Sequence, residues 1–235
     1  MPRRSFVAAV LATVALCPAL GAADGTFTRG SANCHALAFT FDLCPVVSGS
    51  GFDQPLVTFL IEHRVHATFF ASGDWINAHD AELRELTAQP FFEIGTHGQA
   101  HAHMTRLTPA AQATELRGAI QTLEDRYHRH PTLFRPPYGE YNAETVRASD
   151  AAGQTLVMWS IVSGDPDTKL TAAAIEADVA RRAKNGSVMI FHANGRGWHT
   201  REVVPALYQQ LVVNKGFATD TISELRAGCV AGKRD

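Results

Sequence analysis

The amino-acid sequence predicts an α/β fold in which a mainly parallel sheet, covered by helices, curls into a closed or nearly closed barrel. Short apolar runs alternate with longer helix-like stretches along the chain, and this alternation is typical of parallel sheets with helices outside them. Seven of the runs qualify as strands, which suits a barrel. Polar and ionisable residues follow most of these runs, at the end of the sheet where parallel α/β folds bind ligands.

The predicted elements follow one another in a regular order. Strands are expected at residues 36–41, 67–71, 91–95, 132–134, 155–159, 187–191 and 217–219. Helices are expected at residues 54–64, 81–88, 109–127, 143–152, 172–183 and 201–213. Thr108 followed by Pro109 predicts the start of the third helix, because Thr caps a helix and Pro favours its first turn. Gly153, Gly186 and Gly216 each follow a helix, where a left-handed C-cap is expected.

Residues 1–22 are predicted to be a signal peptide. Arg3 and Arg4 precede an apolar run over residues 6–20, and small residues follow at 21–23, as signal peptidase requires. The run is shorter than the ~20 residues that span a bilayer as a helix. We therefore expect a secreted or periplasmic protein in which residues 23–235 form a single catalytic domain with no stable membrane anchor. A retained N-terminal anchor is the alternative.

The charge pattern argues against one class of partner. The formal net charge is −2 at pH 7, and the chain contains no long block of basic residues. A protein that binds nucleic acid usually presents such a cluster of positively charged residues. A neutral or weakly charged substrate fits the composition better.

The cysteines of an exported chain are candidates for disulfides. Cys34 and Cys44 stand at opposite ends of the first predicted strand, about 30 Å apart if the chain is extended. That separation exceeds the ~7 Å limit between the Cα atoms of bridged cysteines. Three cysteines follow the predicted signal peptide. Cys34–Cys229 is the expected bridge among them because it would tie the two ends of the domain together, and Cys44 is left as an odd thiol.

Six ionisable groups follow the predicted strands, and each of them alone could be a solvated loop residue. In chain order they are Asp42, His97, His101, Arg135, Asp165 and His192. Imidazoles four residues apart share one side if the segment is helical, and paired imidazoles suit zinc. The bare pattern is a weak indication of a metal site, and it lacks the glutamate of zincin helices. It gains weight because parallel strands would bring all six groups to the same rim.

Together these residues resemble the polysaccharide deacetylase family (NodB homology, carbohydrate esterase family 4). The motifs that carry the resemblance are Thr40-Phe41-Asp42, His97-x3-His101, Arg135-x-Pro137-Tyr138, Asp165 and His192. They occur in the family's order between about residues 36 and 225. The resemblance implies a distorted (β/α)7 barrel of the NodB-homology type. It also implies a metal-dependent hydrolase that removes N-acetyl groups from an N-acetylated sugar polymer, such as peptidoglycan, a chitin-like chain or an exopolysaccharide.

The resemblance further implies roles for the residues of the first three motifs. Asp42 would be the general base, and Arg135 would hold its carboxylate and lower its pKa. His97 and His101 would bind a divalent metal, for which zinc is the first candidate. The backbone near Tyr138 would donate a hydrogen bond to the oxyanion.

The remaining motifs would supply the general acid. His192 would protonate the departing sugar amine, and Asp165 would orient its ring and raise its pKa. Pro166 replaces a tryptophan that commonly follows this aspartate in the family, which predicts a more open pocket wall.

The first motif departs from the family's usual Thr-Phe-Asp-Asp-Gly-Pro, because Leu43 stands where an aspartate normally supplies the third metal ligand. Catalytic zinc usually has three protein ligands, so three alternatives are open. Asp42 serves the metal, alone or while also acting as base. Cys44 is recruited as a thiolate. Or the metal is bound weakly or not at all, and the chain is not a conventional deacetylase. Asp53 is a further candidate ligand, with an N-cap role as its alternative.

The loop after the strand of His192 is predicted to touch the substrate. Trp198 offers a face on which a sugar ring could stack, and Asn194 and Arg196 lie beside it in the sequence. A loop folded onto the barrel is the alternative. Two other functions also stay open: hydrolysis of other linear, non-peptide amides, and a non-catalytic carbohydrate-binding barrel, for which Leu43 is the main argument.

Overall fold

The computed structural model describes residues 25–47 and 49–228 of the chain. The predicted signal peptide and Cys229 lie outside the described residues. Cys34 is disulfide-bonded and Cys44 is a buried free thiol, so the pairing of Cys34 with Cys229 stays a prediction. Among the helices within these ranges, none is both long and apolar enough to cross a membrane.

The described residues form one nine-stranded sheet surrounded by helices. The strands are β1 (Thr26–Phe27), β2 (Ala36–Leu43), β3 (Ala67–Ala71), β4 (Phe92–Thr96), β5 (Leu133–Phe134), β6 (Thr155–Val157), β7 (Ile161–Val162), β8 (Val188–His192) and β9 (Ala218–Thr219). The α-helices are α1 (Gln54–Glu62), α2 (Gly73–Ala78), α3 (Asp80–Thr87), α4 (Pro109–Tyr127), α5 (Ala143–Ala151), α6 (Ala172–Arg182), α7 (Thr200–Leu207) and α8 (Ile222–Ala227). Single 3-10 turns occur at Met104–Arg106 and Pro137–Gly139, and a π-helical turn at Tyr208–Val213 continues α7.

All the predicted strands and helices are present, and their ends differ from the expectation by at most two residues when the π-helical turn is counted with α7. Thr108 caps α4 as predicted, since its side chain accepts a hydrogen bond from the Ala111 amide. The three glycines expected as C-caps all have positive φ. The elements that the sequence did not predict are short: β1, β7, α2 and α8.

The strands pair in parallel, in the order β1-β6-β5-β4-β3-β2-β8-β7, and β9 pairs with the start of β2. In the part of the chain that the structure describes, this path has two ends instead of closing into a ring. The predicted distorted (β/α)7 barrel is confirmed, as a curled and incompletely closed parallel sheet. Because the strands are parallel, their carboxyl ends all meet at one rim.

The two faces of β2 show where the core lies. Because side chains alternate along a strand, the odd-numbered residues 37–43 pack outward against the helices. Ala36 and Ala38 face the barrel interior, in a cluster that Ile222 of α8 joins. Asp42 continues this inward-facing row at the carboxyl end of the strand, and the row therefore leads from the packed core directly to the rim.

Candidate active site

Asp42 and His192 lie side by side at the carboxyl ends of neighbouring strands. They are Cα partners in the parallel pairing of β2 with β8. Asp42 is buried and His192 is half-buried. Both line a cleft of about 300 Å³. The structure thus brings the predicted base and the predicted acid to one site.

Arg135 fixes the carboxylate of Asp42. Its Nη1 donates a hydrogen bond of 2.8 Å to Asp42 Oδ1, while Nε and Nη2 donate to the carbonyls of Val157 and Met158. The fully buried guanidinium lies 4.0 Å from the centroid of the Phe70 ring. Burial alone would raise the pKa of Asp42, but the charge of Arg135, with smaller contributions from two histidines, holds it below its usual value. Asp42 is therefore kept ionised.

Asp165 orients His192. It accepts hydrogen bonds from the His192 amide (2.7 Å) and Nδ1 (3.0 Å), and from the hydroxyls of Ser163 (2.8 Å) and Thr200 (2.7 Å). Burial alone would lower the pKa of His192, but the hydrogen bond to Asp165, together with Cys44, raises it well above its usual value. Because Nδ1 is used by Asp165, Nε2 is the nitrogen that can serve a substrate.

Gly197 allows this carboxylate to be enclosed. A Cβ atom at this position would lie 1.9 Å from Thr200 Oγ1 and 2.5 Å from Asp165 Oδ2. Such distances are too short for any side chain, so the close approach requires glycine. The next residue donates its own amide to the Asp165 carbonyl at 3.0 Å. The loop after β8 is thus built around Asp165.

His97 and His101 converge, but not on a helix. His97 directly follows β4, and the segment up to residue 103 is a loop in which Gly98 and His101 have positive φ. The two rings lie 4.8 Å apart. Glu115 of α4 shapes this loop by accepting hydrogen bonds from the amides of Ala100 and Ala102, both at 3.0 Å. The helical spacing argument was therefore wrong, although the two imidazoles do meet.

The tautomer of His97 follows from its partner. Its Nδ1 lies 2.8 Å from the carbonyl oxygen of Arg135. A carbonyl can only accept, so Nδ1 carries a proton, and in the neutral ring the lone pair is on Nε2. Nε2 lies 3.6 Å from Asp42 Oδ2. His97 is thereby prepared as a metal ligand.

Cys44 completes a set of three possible metal ligands. Its Sγ and one ring nitrogen each from His97 and His101 all lie within 4.8 Å of one another. Burial alone would raise the pKa of the Cys44 thiol, but the imidazoles of His101, His192 and His97 hold it well below its usual value. The thiol is therefore disposed to ionise.

Leu43 and Asp53 take no part in the cleft. Leu43 is fully buried in the outer core, because its side chain points to the opposite face of β2 from Asp42. Asp53 caps α1, where it accepts a hydrogen bond from the Leu56 amide, and it forms an ion pair with Arg201 at 3.2 Å. The alternative N-cap role of Asp53 is thus the one that the structure supports.

The expected substrate-binding residues divide into two groups. Tyr138 and Arg196 line the cleft, and Trp198 is 59% exposed at an adjoining groove that also includes Arg196 and Pro166. Asn194, in contrast, is buried, and its side-chain amide donates to the Cys44 carbonyl at 2.8 Å. The expectation of a sugar contact by Asn194 was therefore wrong, because this amide is used inside the protein to hold the Cys44 backbone.

Comparisons with known proteins point to one family. A family profile described as "Polysaccharide deacetylase" matches residues 29–157. A peptidoglycan-N-acetylglucosamine deacetylase of Bacillus cereus is 24% identical, over 80% of this chain and 87% of the relative. The Bacillus subtilis protein YlxY is 27% identical over 78% of this chain, which spans about half of that relative's length (56%). This chain spans 33% of a bifunctional xylanase/deacetylase of Pseudobutyrivibrio xylanivorans.

A solved structure shows the same fold. A CE4-family pseudoenzyme from Bacillus anthracis superposes with a TM-score of 0.76 at 22% identity, over 85% of this chain and 68% of the other. A mutant of that pseudoenzyme is described as having restored enzymatic activity. The fold is thus compatible with both active and inactive sites. Whether such a protein is active depends on the residues at the rim of the barrel.

Proposed function

Because this chain belongs to the polysaccharide deacetylase family, whose profile covers residues 29–157 of its 235, we propose that it is a metal-dependent hydrolase that removes N-acetyl groups from an N-acetylated glycan. One observation carries the proposal: an arginine-held carboxylate and a carboxylate-held imidazole, Asp42 and His192, are neighbours at one cleft. A carbohydrate-binding barrel has no need of such a pair.

The donor atoms at the cleft fit a metal ion. Sγ of Cys44 and the imidazole nitrogens of His97 and His101 lie close enough to share one cation, and thiolate and imidazole are ligands that zinc accepts. His97 and His101 would hold the ion, with a third ligand from the carboxyl end of β2. When bound, it would polarise the acetyl carbonyl and lower the pKa of a water molecule.

The residues of the chain supply the proton transfers. Asp42 takes a proton from the attacking water, and Arg135 keeps it ionised before each turnover. The Tyr138 backbone amide donates to the developing oxyanion. His192 then passes the proton on Nε2 to the departing sugar amine, while Asp165 stabilises the imidazolium.

The groove beside the cleft supports a substrate longer than one sugar. Arg196 and Pro166 line both the cleft and the groove, so the two are continuous. Trp198 presents an exposed aromatic face there. We therefore assign the groove to the sugar next to the one that loses its acetyl group.

Replacing Trp198 with Ala should raise KM for acetylated chito-oligosaccharides by about 2- to 12-fold, since an aromatic contact contributes about 0.5–1.5 kcal/mol. The value of kcat should change little, because the side chain does not touch the reacting group. Steady-state kinetics of acetate release measure both constants. Val213→Ala removes another exposed apolar side chain and should leave KM unchanged. An unaltered KM in the Trp198 variant would remove the groove from the substrate site.

Acetate release tests the proposed function directly. The purified protein should release acetate from acetylated chito-oligosaccharides or peptidoglycan, lose activity with a chelator and regain it with added zinc. Release from small linear amides alone would indicate an amidase of another specificity. Glycan binding without any acetate release would indicate a non-catalytic barrel. A protein that stays metal-free and inactive in added zinc would contradict the mechanism.

We also propose that the protein acts outside the cytoplasm, secreted or periplasmic, on the basis of the sequence features of residues 1–22. N-terminal sequencing of protein recovered from the medium or periplasm should give a start close to residue 23. A first residue at Met1 in all fractions would contradict cleavage.

A further inference from the structure

We infer that the thiolate of Cys44 is the third protein ligand of the metal site, together with His97 and His101, in place of the carboxylate that Leu43 excludes. This inference deepens the proposed function and rests on it for its catalytic meaning. Two imidazoles alone fall short of the three protein ligands that catalytic zinc usually has. Among the residues that the structure describes, Cys44 is the one whose ligand atom converges with both imidazoles.

The chain path explains why residue 44 and not residue 43 reaches the site. Side chains alternate along β2, so Asp42 and the residue two positions later face the same side. The Cys44 carbonyl is held by the buried Asn194 side chain at 2.8 Å, and the Leu43 carbonyl by the Ser72 amide at 3.2 Å. Cys44 is therefore kept beside the cleft by residues that follow the two neighbouring strands, β8 and β3.

The strand register places Cys44 opposite His97. Leu43 pairs with Ala71 of β3, and Ala71 pairs with Thr96 of β4. Cys44 and His97 are each the next residue, so they end at one level, two strands apart. Two strand spacings are about 10 Å, a distance that a cysteine and a histidine bridge by pointing toward each other. The small residue Ser72, which follows β3, lies between them.

Asp42 is less suited to be the third ligand. Its Oδ1 is occupied by the fully buried guanidinium of Arg135, which donates to it at 2.8 Å. A cation bound by Asp42 would lie close to this fixed positive charge, and the two would repel each other. The carboxylate therefore remains free to accept a proton, and the cysteine takes the ligand position.

A thiolate from Cys44 would make this set of ligands a soft one, which affects the choice of metal. Thiolate and imidazole select zinc and cobalt over magnesium and manganese, which prefer oxygen ligands. We therefore expect the chain to bind one Zn²⁺ or Co²⁺ and to show no comparable binding of Mg²⁺. Cobalt reports on the ligand directly, because a Co²⁺–thiolate bond gives a sulfur-to-metal charge-transfer band in the near ultraviolet.

The test titrates the metal-free chain with Co²⁺ and follows this band. The wild type should develop the band with a stoichiometry of one. Cys44→Ser should lose the band and bind Zn²⁺ at least about tenfold more weakly, since even partners outside the coordination shell contribute 10- to 100-fold to affinity. Cys44→Asp should bind metal without the band. Circular dichroism confirms that both variants are folded.

Two outcomes would overturn the inference. One is a wild type that binds Co²⁺ without a thiolate band; loss of that Co²⁺ in Asp42→Asn would then make Asp42 the ligand. The other is a wild type that binds no Co²⁺ or Zn²⁺ at all. Failure of the proposed function would give a different result. If the protein shows the Co²⁺–thiolate band but releases no acetate from any substrate, the inferred metal site stands and the proposed deacetylase activity is wrong.

Discussion

Replacing Asp42 with Asn is expected to lower kcat for N-deacetylation by about 10²–10⁴ while leaving the bound metal in place. Asparagine has nearly the same shape and still offers an oxygen to Arg135, but it cannot take a proton from water. The same loss is expected with an activated aryl acetate, because attack by water precedes departure of either leaving group. Acetate release and zinc content, measured on the same preparation, give both results.

A matched control separates catalysis from stability. Asp53 is also a buried carboxylate paired with an arginine, at 3.2 Å, but it caps α1 and does not line the cleft. Asp53→Asn should lower the melting temperature and leave kcat close to that of the wild type. Normal turnover in Asp42→Asn would exclude Asp42 as the base. Loss of the metal together with turnover would instead make it a ligand.

The sequence was sufficient to predict the barrel and most of its rim. Strand–helix alternation predicts parallel strands, and parallel strands bring residues that directly follow them to one end. Asp42, Arg135 and His192 belong to this class: each lies at or next to the end of a strand. For such residues the fold alone determines that they meet.

The position of Cys44 could not be predicted in the same way. The first strand was expected to end at residue 41, whereas β2 continues to Leu43. Those two further residues keep the side-chain alternation and thereby put Cys44 on the side of Asp42. The hydrogen bond to the Cys44 carbonyl is donated by Asn194, which lies 150 residues away in the chain. A contact of this range leaves no periodic pattern in the sequence.

Short elements and loops were missed for a related reason. β1 and β7 have two residues each, too few to show alternation of apolar and polar side chains. The equally short β5 and β9 were predicted because each follows a predicted helix, which β1 and β7 do not. The conformation of the loop that carries His97 and His101 depends on hydrogen bonds to Glu115 of α4. In the sequence, Glu115 cannot be distinguished from a solvent-exposed glutamate of a helix. Backbone amides that bind a distant carboxylate are visible only in three dimensions.

Asp165→Asn is expected to lower N-deacetylation by about 10²–10⁴ while sparing the hydrolysis of an activated aryl acetate. A sugar amine leaves only when it is protonated, so its departure requires His192 as a charged acid. An aryl oxide leaves without a proton. The asparagine side chain of the variant is neutral and no longer stabilises the imidazolium of His192. Only the reaction that requires the acid, N-deacetylation, should therefore become slower.

The ratio of the two activities distinguishes this role from a structural one. Thr200→Val removes one hydrogen bond to Asp165 Oδ2 but leaves the bond between Asp165 Oδ1 and His192 Nδ1, at 3.0 Å. If Asp165 only held the loop after β8 in place, both variants should lower the two activities in parallel. If Asp165 tunes the acid, the ratio of amide to aryl ester hydrolysis should fall in Asp165→Asn and stay constant in Thr200→Val. An equal loss of both activities in Asp165→Asn would mean that proton donation to the leaving group does not depend on this carboxylate.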